Sequence, residues 1–129
     1  VTMADMQTPL RKVRDLGSSR GGTAHFWRVR VTSVALVPLS LFAIWLVLST
    51  FGSGYLETRA TLAHPVVAIL LGLFVVITLD HMRSGMEEII ADYIHGEGLK
   101  LALLMLNLFF VLVVGGACLF ALLKIAFGG

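Results

Sequence analysis

From Asp80 to Lys100 the chain reads DHMRSGMEEIIADYIHGEGLK, directly after an apolar run. A histidine, several carboxylates and a tyrosine therefore stand inside hydrocarbon or just where a helix leaves it. Polar groups at that depth are expensive and mark functional positions. On an α-helix, His81, Gly85, Glu88 and Asp92 share one stripe. A neutral imidazole is a good axial ligand for haem iron, and its second ring nitrogen usually has an orienting partner, for which Thr78, one turn earlier, is a candidate. Gly85 leaves no side chain one turn below His81, where a flat ligand bound to the imidazole would lie. The plainer reading is that His81 hydrogen-bonds between helices. Tyr93 follows about 18 Å further along the axis. Its phenol suits donation to a quinone carbonyl at the mouth of an apolar pocket, with Asp92 beside it to tune or relay protons. The plainer reading of Tyr93 is an aromatic-belt residue. Arg83 points away from the His81 stripe toward Glu87 at i,i+4, as an interface ion pair or as a group beside a haem propionate.

These residues need a membrane to stand in. Of 129 residues, 57% are hydrophobic and 14% charged, against about 25% charged in a soluble domain. The class is an all-α membrane protein. Residues 1–28 form a basic segment carrying Arg11, Lys12, Arg14, Arg20 and Arg28, with Gly17, Ser18, Ser19, Gly21 and Gly22 as a flexible stretch. This is an orientation signal and not a nucleic-acid patch. Nothing near it resembles a cleavable signal peptide. Cys118 lies alone in an apolar run and is silent about redox compartment.

Residues 29–129 divide into three spanning helices, over about 29–52, 64–94 and 99–127. Val31 to Phe51 is charge-free, and Pro38 inside it predicts a bend but no break. Gly52 to Ala63 reads as a short loop. His64-Pro65 opens the second helix, since Pro suits the first turn. The charge-free run Leu62–Leu79 is 18 residues, barely enough to span, so this helix continues through the polar stretch to Tyr93. Gly96 and Gly98 make the turn, and Lys100 starts the third helix. Within that helix Asn107 can bond across helices and Gly115-Gly116-Ala117 permits close approach. The basic tail, set against Arg59 alone in the first connection, puts the N-terminus and the 80–100 end in the cytoplasm.

One histidine cannot hold a six-coordinate haem b. His25 and His64 stand at helix starts and His95 in a turn, so a second axial ligand would come from another chain. The chain also has no flavin or dinucleotide motif and no cysteine cluster, so redox chemistry on a soluble substrate would have to happen elsewhere.

His81-x3-Gly85-Met86 followed by Asp92-Tyr93 resembles the smaller cytochrome b membrane-anchor subunits of succinate dehydrogenase (respiratory complex II). The likeness extends to three helices, a basic N-terminal tail, Arg30-Val31-Thr32 at the start of helix one and the DYIHGEGLKL turn. It covers nearly the whole chain, although only the helix-two motif is specific. The resemblance implies one half of a heterodimeric haem b anchor that docks a flavoprotein and an iron–sulfur subunit and helps form a ubiquinone-reduction site. It implies that His81 is one axial ligand of haem b, the other coming from the larger anchor subunit. It implies that Tyr93 touches ubiquinone with Asp92 beside it, and that Arg30 lies near the haem propionate and quinone region. The expected setting is a bacterial cytoplasmic membrane, with a mitochondrial inner membrane as the alternative. Two other readings stay open: an anchor of fumarate reductase or another quinone-linked dehydrogenase, and a haem-free structural helix bundle.

Overall fold

A computed structural model of the chain describes residues 20–128, which form four helices: α1 Arg20–Thr50, α2 Tyr55–Ala63, α3 Pro65–Tyr93 and α4 Glu97–Ala126. The basic residues Arg11, Lys12 and Arg14 and the Gly17–Ser19 part of the glycine–serine stretch lie outside the described residues. α1, α3 and α4 are each long and apolar enough to cross a membrane. At 1.5 Å per residue each reaches about 45 Å, more than the roughly 30 Å of hydrocarbon, so their ends extend into the head-group layers.

The local signals that start and stop these helices are mostly short-range. Pro65 occupies the first turn of α3, and the His64 side chain caps it by accepting a hydrogen bond from the Val66 amide at 3.3 Å. α3 then runs unbroken through the polar stretch to Tyr93, as the short apolar run requires. Pro38 sits within α1 without ending it. After α1 the chain turns at Gly52, whose φ of +82° is a left-handed conformation that favours glycine.

Three boundaries differ from the sequence expectation. α1 begins at Arg20, well before residue 29; Arg28 pairs with Asp80 of α3 and Arg30 lies over Phe26 one turn back, so neither need lie in a loop. The connection between the first two spans is not a plain loop but contains α2. Its YLETRATLA sequence is rich in helix formers, and Glu57 lies in the first turn, where the helix dipole favours a carboxylate. α4 begins at Glu97, ahead of Lys100 and with an acidic first turn of the same kind. Gly96 therefore caps the helix and Gly98 lies inside it.

α3 is the central element. It packs against both α1 and α4, while α1 and α4 make no close backbone approach to each other among the described residues. Gly115 lets α4 approach α3, since a Cβ there would stand 3.0 Å from Leu79 Cδ1. The interior is thin: Leu46 and Ile90 are the buried hydrophobics, and Ser84 and Asn107 are the buried polar residues. Large apolar side chains face outward along all three spans, as lipid or a partner bundle requires.

Candidate functional site

α1 and α3 meet along a polar seam at the end that carries His81. The residues on α3 that touch α1 follow the helical period. Asp80, His81 and Glu88 fall within roughly a third of a turn of one another. The Arg28 guanidinium reaches both carboxylate oxygens of Asp80, with Nε donating to Oδ2 at 2.9 Å and Nη2 to Oδ1. Thr32, one turn further along α1, brings its hydroxyl to 3.1 Å from Nδ1 of His81. His25, near the start of α1, places Nε2 at 2.8 Å from Oε1 of Glu88. Ser84, one turn from both Asp80 and Glu88 on this side of α3, is buried at 4% exposure.

The opposite side of α3 belongs to α4. Gly72, Leu79 and Ile90 lie nearly half a turn round from His81 and face α4 or line the groove beside it. Asn107 on α4 donates from Nδ2 to the Arg83 carbonyl at 3.2 Å, the interhelical bond its position predicted. Arg83 and Glu87 form the expected i,i+4 pair at 2.9 Å. About 40° round from His81 on the same side of α3, a side chain at Gly85 would meet nothing within 4 Å. Open space therefore lies one turn from the half-buried His81 imidazole.

Tyr93 is separated from this seam by about 120° round α3. It lines an apolar groove of about 500 Å³ between α3 and α4, with Met86, Ile89, Ile90, Leu106, Asn107 and Phe110 on the walls. Its side chain is 76% exposed at the groove mouth. Asp92 is exposed beside it, closer to the His81 stripe than to the groove. The chain thus gathers His81 and Gly85 on one side and sets Tyr93 over a different cavity. Arg30 joins neither. Its guanidinium lies over the Phe26 ring, 4.9 Å from the centroid, on the side of α1 away from Arg28 and Thr32.

One assignment shifts. Thr78 does not orient His81: its Oγ1 is shielded with no partner, and Thr32 reaches the imidazole instead. The reason is rotational, since α1 packs on the side of His81 away from Thr78. Sequence reasoning also missed Arg28, Asp80, His25 and Glu88 as pairs. Their only advance sign was that unlike charges stood at the same end of two spans. Among the described residues, no three His, Cys, Asp or Glu side chains cluster closely enough to hold a metal by themselves.

Comparison with known proteins bears on this arrangement. The pattern of the succinate dehydrogenase/fumarate reductase transmembrane subunit family matches residues 4–116. The succinate dehydrogenase hydrophobic membrane anchor subunit of Paracoccus denitrificans is 30% identical over 121 residues, covering 94% of this chain and 93% of that protein. The anchor subunit of the same description from Rickettsia bellii is 29% identical over 111 residues, covering 85% and 89%. The succinate dehydrogenase membrane anchor subunit of Reclinomonas americana is 30% identical over 82 residues, covering 61% and 68%. No solved structure matches the chain.

Proposed function

The chain belongs to the succinate dehydrogenase/fumarate reductase transmembrane subunit family and is a multi-pass membrane anchor subunit of that class, and from that premise we propose how it serves electron transfer. In this reading it co-ligates haem b through His81 and contributes Tyr93 and Asp92 to a ubiquinone-reduction site of a succinate:ubiquinone oxidoreductase. The observation that carries the reading is the pairing of His81 with Gly85. The ring has Nδ1 engaged by Thr32, no hydrogen-bond partner for Nε2 among the described residues, and open space one turn below.

The residues present fit such a group. A haem held here would need an imidazole with one free nitrogen and a helix surface without a Cβ beside it, and His81 and Gly85 would supply them from the same side of α3. Bound there, haem b would supply a one-electron store. The residues of this chain orient the ligand, keep the pocket dry and hold charge near it. The half-buried ring at a seam cannot be enclosed by three helices in an open arrangement. A second iron ligand would come from a larger cytochrome b anchor subunit packed on the His81–Gly85 side. Arg30 belongs to the propionate and quinone region in this reading. Its stack on Phe26 is an exposed contact of about 0.5–1 kcal/mol, weak enough to exchange for an anionic group.

At the groove, the Tyr93 hydroxyl donates a hydrogen bond to a quinone carbonyl, and the Asp92 carboxylate beside it moves or holds the proton. The polar end of α3 lies on the cytoplasmic side, where the flavoprotein and iron–sulfur subunits dock, in a bacterial cytoplasmic membrane. The names of the relatives favour the succinate-oxidising direction over fumarate reduction. A pyridine haemochrome spectrum of the complex purified in mild detergent tests the reading. One b-type haem per complex is expected, and a wild-type complex with none removes His81 as a ligand.

A further inference from the structure

We infer that Thr32 is a positioning residue for the haem ligand: it fixes the His81 tautomer whose Nε2 carries the free lone pair. The inference rests on the haem-ligand reading above.

The Thr32 hydroxyl is near three atoms: the Arg28 carbonyl oxygen at 2.8 Å, the Val29 carbonyl oxygen at 3.0 Å and His81 Nδ1 at 3.1 Å. A hydroxyl has one proton to give and two lone pairs to receive. Carbonyl oxygens only accept, so the contacts within α1 consume the Thr32 proton, the ordinary back-bond of a threonine in a helix. With the proton so placed a lone pair faces His81, and Nδ1 is the donor in the tautomer we assign. A neutral imidazole with its hydrogen on Nδ1 has Nε2 bare, which is the form a metal takes.

The same turn of α1 also sets where the ring stands. Arg28, whose carbonyl receives the Thr32 proton, grips Asp80 with its guanidinium, and Asp80 adjoins His81. Residues 28 and 32, stacked on one face of α1, thus hold consecutive residues of α3. That two-point hold fixes the rotation of α3 about its axis. Thr78, which is closer to His81 along the chain, makes no bond that substitutes for this.

A hydrogen bond from Nδ1 makes the imidazole a stronger donor and favours ferric over ferrous iron. Thr32→Val removes the hydroxyl at nearly constant shape, and Thr32→Ser keeps it. In the intact complex, Thr32→Val is expected to raise the haem b midpoint potential and shift the low-spin EPR signal as the ring loses its orientation. It should also speed haem transfer to apomyoglobin on the order of tenfold. Thr32→Ser should return all three toward wild type. Unchanged potential and EPR signal in a haem-loaded Thr32→Val complex overturn the inference. So does Thr32→Ser behaving like Thr32→Val, which would place the effect in the lost methyl packing. Should Thr32→Val not assemble, Thr32→Ala carries the same test, and failure of both assigns Thr32 to helix packing and also overturns it. A wild-type complex without haem b sinks the underlying reading instead.

Discussion

At the end that carries His81, α1 and α3 are joined by Arg28–Asp80, Thr32–His81 and His25–Glu88, all side chain to side chain. At the other end, α3 faces α4 with Gly72 toward Leu122, where a Cβ added at Gly72 would stand 3.5 Å from Leu122 Cδ2. That end also holds an apolar groove of about 520 Å³ that includes Pro65, Val76 and Phe127 in its walls. The first kind of contact is directional and fixes the rotation of a helix. The second fixes spacing but tolerates rotation. Polar contacts between membrane helices contribute only about 0.6 kcal/mol on average and about 1.7 at most. The seam therefore adds little to stability for its number of bonds. What it adds is aim, at the end where His81 and Gly85 share one side of α3.

The sharpest way to break this contrast is to fill the open space at Gly85 without touching the seam. His81→Leu should abolish the b-type spectrum, but that variant also cuts the bond to Thr32. Gly85→Leu is cleaner: nothing lies within 4 Å of its Cβ direction, and replacing a helical glycine gains up to about 1 kcal/mol in propensity. Haem content should fall to background while the detergent melting temperature of the haem-free complex holds or rises. Retention of haem would detach Gly85 from the site.

The next effect separates the seam from the groove. Tyr93→Phe should lower quinone reduction about 10-fold, roughly the 1.4 kcal/mol of one hydrogen bond to a reacting carbonyl. Succinate oxidation by an artificial acceptor and the haem spectrum should not change, because Tyr93 faces α4 and His81 faces α1. Equal loss of both activities would point to assembly instead.

What could be read in advance was local. Charge-free runs long enough to span, His64-Pro65 at a helix start and Arg83 four residues from Glu87 all involve neighbours in sequence, and the structure repeats them. The Arg28–Asp80 and Thr32–His81 contacts join residues 52 and 49 apart. They depend on how α1 is rotated against α3, and helices apolar on every side carry no inner stripe from which to read that rotation. Thr78 looked like the imidazole's partner because it was near in sequence, and the neighbouring helix decided otherwise. α2 was invisible for a related reason, since it buries no residue and so leaves no period in the pattern.

A smaller effect sharpens the seam itself. Asp80→Asn keeps the shape but removes the charge opposite Arg28. Both groups are partly exposed, with side chains 53% and 23% accessible, so the loss should be about 1 kcal/mol. An EPR signal broadened by a looser ring orientation is expected alongside it. Loss of stability without any change at the haem would mean that the pair holds helices and sets no aim.

The smallest effect lies on the α3–α4 side and has opposite signs at adjacent residues. A methyl at Gly115 would stand 3.0 Å from Leu79 Cδ1, tighter than most real contacts, whereas one at Gly116 meets nothing within 4 Å. Both substitutions gain helix propensity, up to about 1 kcal/mol against glycine. Gly116→Ala should keep that gain as a higher melting temperature. Gly115→Ala should lose most of it to the displacement of Leu79, ending near or below wild type. Neither should move the haem potential, because a Leu79 side chain can yield without turning α3 while Arg28 and Thr32 hold it. A potential shift in Gly115→Ala would show that the apolar contact also sets rotation, and the distinction between the two kinds of contact would fall with it.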